Sequence, residues 1–134
     1  MSKHLGTVTA IYEAFGRGDI PAVLEQLSDD VAWEYWETAA AEAGVPWLAS
    51  RSGKAGAAEF FQTIREWRFH EFQITDIMSS EWRVAVVVVV DEELPGGQRI
   101  RDEEIHLWTF GEDGKITAFR HVTDTAKHVA AAAQ

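Results

Sequence analysis

Apolar residues near the start of the chain recur at helical spacing: Val8, Ile11, Tyr12 and Phe15 share one face, and Gly16 and Gly18 then break the pattern. The spacing predicts a first helix that ends there. Asp19 reads as an N-cap with Pro21 just inside it, and Val23, Leu24 and Leu27 supply the buried stripe of a second short helix, stopped by Ser28-Asp29-Asp30. The aromatic-rich residues 31–36 read as a first strand, whereas residues 37–43 fit a helical turn or a loop. Gly44, Pro46, Gly53 and Gly56 punctuate a connection, after which Ala57, Phe60, Phe61, Ile64 and Trp67 mark a longer amphipathic third helix.

The second half of the chain changes period. Residues 69–77 read as a strand, Ser79-Ser80-Glu81 as a turn, and residues 82–90 as a strand whose unbroken valine run predicts burial on both faces. Asp91-Glu92-Glu93 reads as a solvated turn that continues through Pro95-Gly96-Gly97. Residues 99–110 form the next strand, Gly111-Glu112-Asp113-Gly114 closes a hairpin, and residues 115–122 form the last strand. Asp124 then caps a short C-terminal helix containing Val129. Three helices interleaved with one strand, followed by a four-strand antiparallel meander, make an α+β layout. A strongly twisted sheet with helices across one face curls into a cone, and the open end of a cone accommodates a pocket.

The chain has 134 residues, 46% of them hydrophobic, which suits one domain covering residues 1–134. Its 22 acidic and 12 basic residues give a net charge of -10, and the basic residues are scattered, so neither nucleic acid nor an anionic membrane is an expected partner. The absence of cysteine excludes disulfides, thiolate metal ligands and a cysteine nucleophile. The N-terminal residues lack a secretory pattern and no apolar run approaches the ~18 residues of a membrane span, so a cytoplasmic location is expected.

Several segments, taken in order, resemble the nuclear transport factor 2-like superfamily and within it the SnoaL-like, ketosteroid-isomerase-related proteins. They are Tyr12-Glu13-Ala14-Phe15 with Gly18-Asp19, Leu27-Ser28-Asp29-Asp30-Val31 with Trp33, the 51–61 loop and helix, His106-Leu107-Trp108-Thr109-Phe110, Asp113-Gly114-Lys115-Ile116, and Asp124-Thr125. The resemblance implies a cone-like α+β barrel, with three N-terminal helices packed on a strongly curved, mainly antiparallel sheet. It also implies a functional range from isomerases, polyketide cyclases, dehydratases and epoxide hydrolases to non-catalytic binding domains. Steroid isomerases use an aspartate base beside an oxyanion hole made by a tyrosine and a protonated aspartate. The resemblance places Tyr12 near that tyrosine, Tyr35 where the base would sit and His106 where the second aspartate would sit. The aspartate base is therefore missing, and the adjacent Glu34 would need a bulge to turn the same way.

Strand alternation sets Asp102, Glu104, His106, Trp108 and Phe110 on one face, which the resemblance points inward. Pairing Phe110 with Lys115 would put His106 opposite Phe119 and diagonal to His121. A desolvated imidazole stays neutral, so His106 is the candidate general base, with His121 as a second pocket histidine and Tyr12 as a donor from the first helix; each is also readable as a packed core residue, Tyr12 most readily. Trp33, Tyr35, Phe60, Trp67, Trp108 and Phe119 are candidates to line the pocket, together with Trp36 and Trp47. Glu104 reads as an orienting group for His106, a proton acceptor, or a residue at the solvated mouth. His4, His70 and His128 have no partner at ligand spacing, so no metal is expected, and no phosphate loop or serine motif points to a cofactor.

Three functions fit these residues. One is cofactor-independent acid/base chemistry on a hydrophobic carbonyl compound, of isomerase, cyclase or dehydratase type. The second is a non-catalytic ligand-binding or accessory domain. The third is epoxide hydrolysis, for which Asp102, Arg120 and Asp124 are loose counterparts of the required Asp-Arg-Asp set. A homodimer through the sheet is expected from the apolar outer face carrying Ile105, Leu107 and alternate valines.

Overall fold

The computed structural model describes residues 2–34 and 44–134. Helix α1 spans Ser2–Gly16 and α2 Ile20–Glu25; strand β1 covers Leu27–Trp33; a 3-10 turn at Pro46–Leu48 precedes β2, Arg51–Ser52. Helix α3 covers Gly53–Thr63, followed by β3 (Arg68–Ser79), β4 (Arg83–Glu93), β5 (Arg99–Phe110), β6 (Ile116–Val122) and α4 (Thr125–Ala132). The six strands form one curled, unclosed sheet in the order β2-β1-β6-β5-β4-β3, antiparallel throughout except for the parallel β1–β6 pair.

Helix α1 begins a turn earlier than the apolar pattern suggested, because half-buried Leu5 extends the Val8–Tyr12–Phe15 face and His4 stacks on Phe110 at 4.0 Å. The N-cap of α2 is as read: Asp19 accepts a hydrogen bond from the Ala22 amide at 3.2 Å. Ser28-Asp29-Asp30 does not break the chain there. It lies within β1, at the irregularity between the Leu27–Ile116 and Ala32–Ala118 pairs with β6, and the two aspartates stay exposed. Tyr35 and Trp36, expected at the end of this strand, lie outside the described residues.

The valine run is buried on one face only: Val84, Val86, Val88 and Val90 are core, while Val87 and Val89 are half-buried. Asp91-Glu92-Glu93 is not a turn but the end of β4, paired with Arg68, Phe69 and Glu71 of β3 and with Arg99, Ile100 and Arg101 of β5. The reversal is confined to the following residues, where the Leu94 amide donates to the Gln98 carbonyl at 2.9 Å and Gly97 takes φ +93°. Glu92 is consequently buried.

The β5–β6 register also differs from the simple hairpin. Phe110 pairs with Ile116, and an irregularity between Thr109 and Phe110 advances the remaining pairs, so Trp108 faces Phe119 and His106 faces His121. The two histidines become direct cross-strand neighbours instead of diagonal ones.

Candidate functional site

The helices and the inner sheet face enclose a cavity of about 70 Å³. It shares seven lining residues, among them Tyr12, Phe15, Trp67 and Phe72, with a groove of about 850 Å³ that runs between α1, the end of α3 and β3. The inner space is smaller than the ~150 Å³ that takes a benzene ring, so a ring compound would need the groove as well. Trp33, Phe60, Trp67, Trp108, Phe119, Glu104, His106, His121 and Tyr12 all line the inner cavity; Tyr35 lies outside the described residues.

At the cavity floor Tyr12 and His106 meet, their Oη and Nδ1 atoms 2.6 Å apart, while the Trp108 indole N–H donates to Tyr12 Oη at 3.2 Å. Nε2 of His106 faces the Glu104 carboxylate, which can only accept, so the ring hydrogen is assigned to Nε2 and Nδ1 accepts from the Tyr12 hydroxyl. Burial pushes His106 below the ordinary histidine value, helped by the charge of His121 and opposed by Glu104. Burial likewise drives the Tyr12 hydroxyl far above its usual range, so it stays a proton donor.

His121 has the opposite setting. Burial works against its charge, but the carboxylates of Glu34, Glu104 and Glu92 outweigh that cost and hold the imidazole up at about 9. Its direct partner is Glu34, which contacts Nδ1 with Oε1 and accepts from the His121 amide at 3.3 Å with Oε2. Glu34 is fully buried just beyond β1, at φ +56°. A non-glycine residue rarely takes this conformation, and here it swings a side chain that strand alternation would point away. Its backbone is held on both sides, the amide donating to the Phe119 carbonyl at 2.8 Å and the carbonyl accepting from Ser50 Oγ at 2.5 Å.

A second cluster lies behind His106. His128, on α4, is buried, accepts a hydrogen bond from the Trp47 indole at 2.7 Å on Nδ1, and through Nε2 reaches Glu104 at 3.0 Å and Asp102 at 3.3 Å. The expectation that His128 stands alone is thus corrected, as is the placement of Glu104 at a solvated mouth; both are 2% exposed. Burial acts to protonate Glu104, but the imidazoles of His106 and His128 and the charge of His121 overcome it and hold the carboxyl far below its normal range. Glu92, with burial and the nearby Glu104 both against its charge, is pushed up to about 8.

A family model of the SnoaL-like domain matches residues 8–119. The chain belongs to the SnoaL-like family. A comparison of this SnoaL-like chain with curated proteins finds no match. An NTF2-like protein of unknown function from Burkholderia pseudomallei K96243 has the same fold, with a TM-score of 0.82 at 24% identity over 97% of each chain. TerC, co-crystallised with polyporic acid, gives 0.78 at 20% identity over 98% of this chain and 99% of its own. A candidate polyketide cyclase from Xanthomonas campestris pv. campestris gives 0.72 at 23% identity over 96% of each. At these identities the likeness establishes the fold. The SnoaL-like model stops before α4, so His128 lies outside the matched segment.

Two sets of side chains in this SnoaL-like domain have a composition suited to a divalent transition metal: Glu104, His106 and His121, and Asp102, Glu104 and His128, each with ligand atoms within 4.8 Å of one another. Tyr12, Glu34 and Trp47 already engage Nδ1 of the three imidazoles. Glu92 and His128 are the polar groups of the cavity wall that sequence reasoning missed, and Glu34 turns inward through its left-handed backbone instead of a bulge. Only the alternation continuing from Val90 hints at the first, and nothing local marks the second.

Proposed function

We propose that this SnoaL-like protein is a cofactor-independent acid/base enzyme that isomerises, cyclises or dehydrates a hydrophobic carbonyl compound. The observation that carries the reading is the His106–His121 pair. Their ring centroids are 4.6 Å apart, edge to face, and their surroundings push protonation in opposite directions. Two titratable groups driven apart in this way are an acid and a base at one pH. A substrate carbonyl seated beside Tyr12 draws its O–H away from His106, which frees the Nδ1 lone pair to take a proton from the adjacent carbon. The Tyr12 hydroxyl and the His121 imidazolium then supply hydrogen bonds to the developing oxyanion. Return of the proton from His106 to another carbon completes an isomerisation; delivery of a proton from His121 to a departing hydroxyl completes a dehydration.

The aromatic lining supports a neutral or weakly polar ring compound as ligand. In a panel of hydrophobic ring ketones incubated with purified protein, His106→Asn is expected to lower turnover by roughly 10²-fold with the fold intact. Unchanged turnover in that variant would defeat the assignment of the base. The alternative of a non-catalytic binding or accessory domain draws on the same aromatic lining, and predicts binding without turnover and only a modest affinity change in His106→Asn. The epoxide hydrolase reading has less support: Arg120 pairs opposite Leu107 on β5 and does not line the inner cavity among the described residues.

The homodimer belongs to this proposal too. Ile105 and Leu107 are half-buried on the outer sheet face, and Met78, Trp82 and Val122 are exposed large apolar side chains outside the ligand groove, a surface that a second copy would cover.

A further inference from the structure

We propose that His128, from the C-terminal helix, is a positioning residue of the site: it holds the Glu104 carboxylate away from full contact with His106 and so keeps His106 neutral with its Nδ1 lone pair toward the cavity. The inference rests on the acid/base reading for its functional meaning, but its geometry stands alone. The Trp47 indole N–H can only donate, so Nδ1 of His128 must be an acceptor and its hydrogen sits on Nε2. That hydrogen faces Glu104 Oε2 at 3.0 Å and Asp102 Oδ2 at 3.3 Å. The other oxygen of the same carboxylate, Oε1, lies 3.7 Å from Nε2 of His106, beyond hydrogen-bond length.

One buried carboxylate is therefore shared unequally between two imidazoles. His128 takes the short contact, and His106 is left with a longer, mainly electrostatic one. The longer contact suffices to orient the Nε2 hydrogen of His106 toward Glu104, and with it the lone pair toward Tyr12. A full ion pair would instead make His106 an imidazolium and remove it as a base. The groups facing His106 are Tyr12 from α1, Glu104 from β5, His121 from β6 and Glu34 beyond β1, with Glu92 of β4 also in the cavity wall. None of them competes with His106 for Glu104 as His128 does. This competitor comes from outside the 8–119 segment that defines the family match.

The test needs no substrate. Ring nitrogens of the histidines are labelled with ¹⁵N and followed by NMR through a pH titration of wild type, His128→Phe, His128→Gln and Trp47→Phe. Wild-type His106 should be the Nε2–H tautomer and titrate below the ordinary histidine range. In His128→Phe, Glu104 has only His106 left as an imidazole partner, and the His106 midpoint should rise by about one pH unit or more, a roughly tenfold gain in proton affinity. His128→Gln keeps an N–H donor at similar reach and should return the midpoint most of the way. Trp47→Phe unlocks the His128 tautomer and should shift His106 in the same direction by less, which also covers a His128→Phe variant that does not fold. A His106 midpoint and tautomer unchanged in the folded variants would overturn the proposal. A wild-type tautomer and variant shifts as stated, without turnover on any carbonyl compound, would sink the enzymatic reading and leave the positioning intact.

Discussion

Replacing Glu34 by Gln should remove a pH-dependent part of the stability of the fold. Glu34 is the direct partner of His121, whose imidazole is held at about 9 against an ordinary 6.5. A group whose folded value is raised contributes stability that is fully present below its unfolded value and lost as pH rises through the folded one. The window is therefore pH 6.5 to about 9. At about 1.4 kcal/mol per pH unit, the contribution is on the order of 3 kcal/mol; His121 is 13% exposed, so solvent screening reduces it little. Glu92 acts in an overlapping window: its folded value near 8 makes stability fall as pH rises from 4.5, the ordinary value, to about 8. That loss occurs in both proteins and largely cancels in the difference. Urea unfolding of wild type and Glu34→Gln at pH 6 and pH 10, with equal m-values, isolates the ion pair. Glu104 and Glu92 still support the imidazole in Glu34→Gln, so the gap between the two proteins should shrink at the higher pH by more than about 1 and up to about 3 kcal/mol. A gap that stays constant within about 1 kcal/mol would refute a protonated His121.

Other outcomes follow from the same geometry. Glu92→Gln removes a buried carboxyl pushed up to about 8, so the variant should gain stability over wild type by 1 kcal/mol or more at pH 9 and little at pH 4, read by thermal melts at both. Leu107→Asp places a charge on the outer sheet face; sedimentation should show the 15.0 kDa monomer where wild type shows a dimer, and a wild-type monomer at micromolar concentration would end the dimer proposal. Neutral ring compounds should raise the melting temperature while phosphorylated or polycarboxylate compounds should not, and the reverse order would overturn the ligand class.

Much of the architecture was legible because it follows from local periodicity. The strand at Arg99–Phe110 was readable from its alternation, and the Asp19 cap from a short polar side chain ahead of a proline. The errors fell where backbone pairing overrides residue type. Ser28-Asp29-Asp30 looks like a terminator, yet the strand runs on through it as an irregularity between its two paired ends on β6, with both aspartates outside. Asp91-Glu92-Glu93 looks solvated, but Arg99 binds Asp91 at 2.7 Å and His70 binds Glu93 at 2.7 Å, which leaves Glu92 as the inward member of the alternating strand. Arg99 is eight residues from Asp91 but across a turn, and His70 is 23 residues from Glu93 on another strand, so the pairing that makes the compensation shows only in the folded sheet.

At the site itself the departures from local rules have a direction. Two irregularities, the β5–β6 shift between Thr109 and Phe110 and the φ +56° turn at Glu34, move a histidine and a carboxylate onto the same inward patch. Without the first, His121 would not lie directly opposite His106; without the second, the carboxylate would follow strand alternation to the other face. Each carries a cost in regular pairing or backbone strain, and each is held by specific bonds, Glu34 through Phe119 and Ser50. Strain retained in a buried polar cluster, where replacing the polar groups by apolar ones would spare the desolvation cost, is what selection for chemistry or binding leaves behind. Glu34→Gly is the discriminating perturbation. It removes the backbone strain together with the carboxylate, so any stability regained at pH 10, where the ion pair no longer contributes, measures what the fold gives up to place that side chain. Glu34→Ala removes the same carboxylate but keeps a Cβ at φ +56°, so a Glu34→Gly variant no more stable than Glu34→Ala at pH 10 would show that the backbone at this position is not strained, and the argument from strain to function would lose its footing.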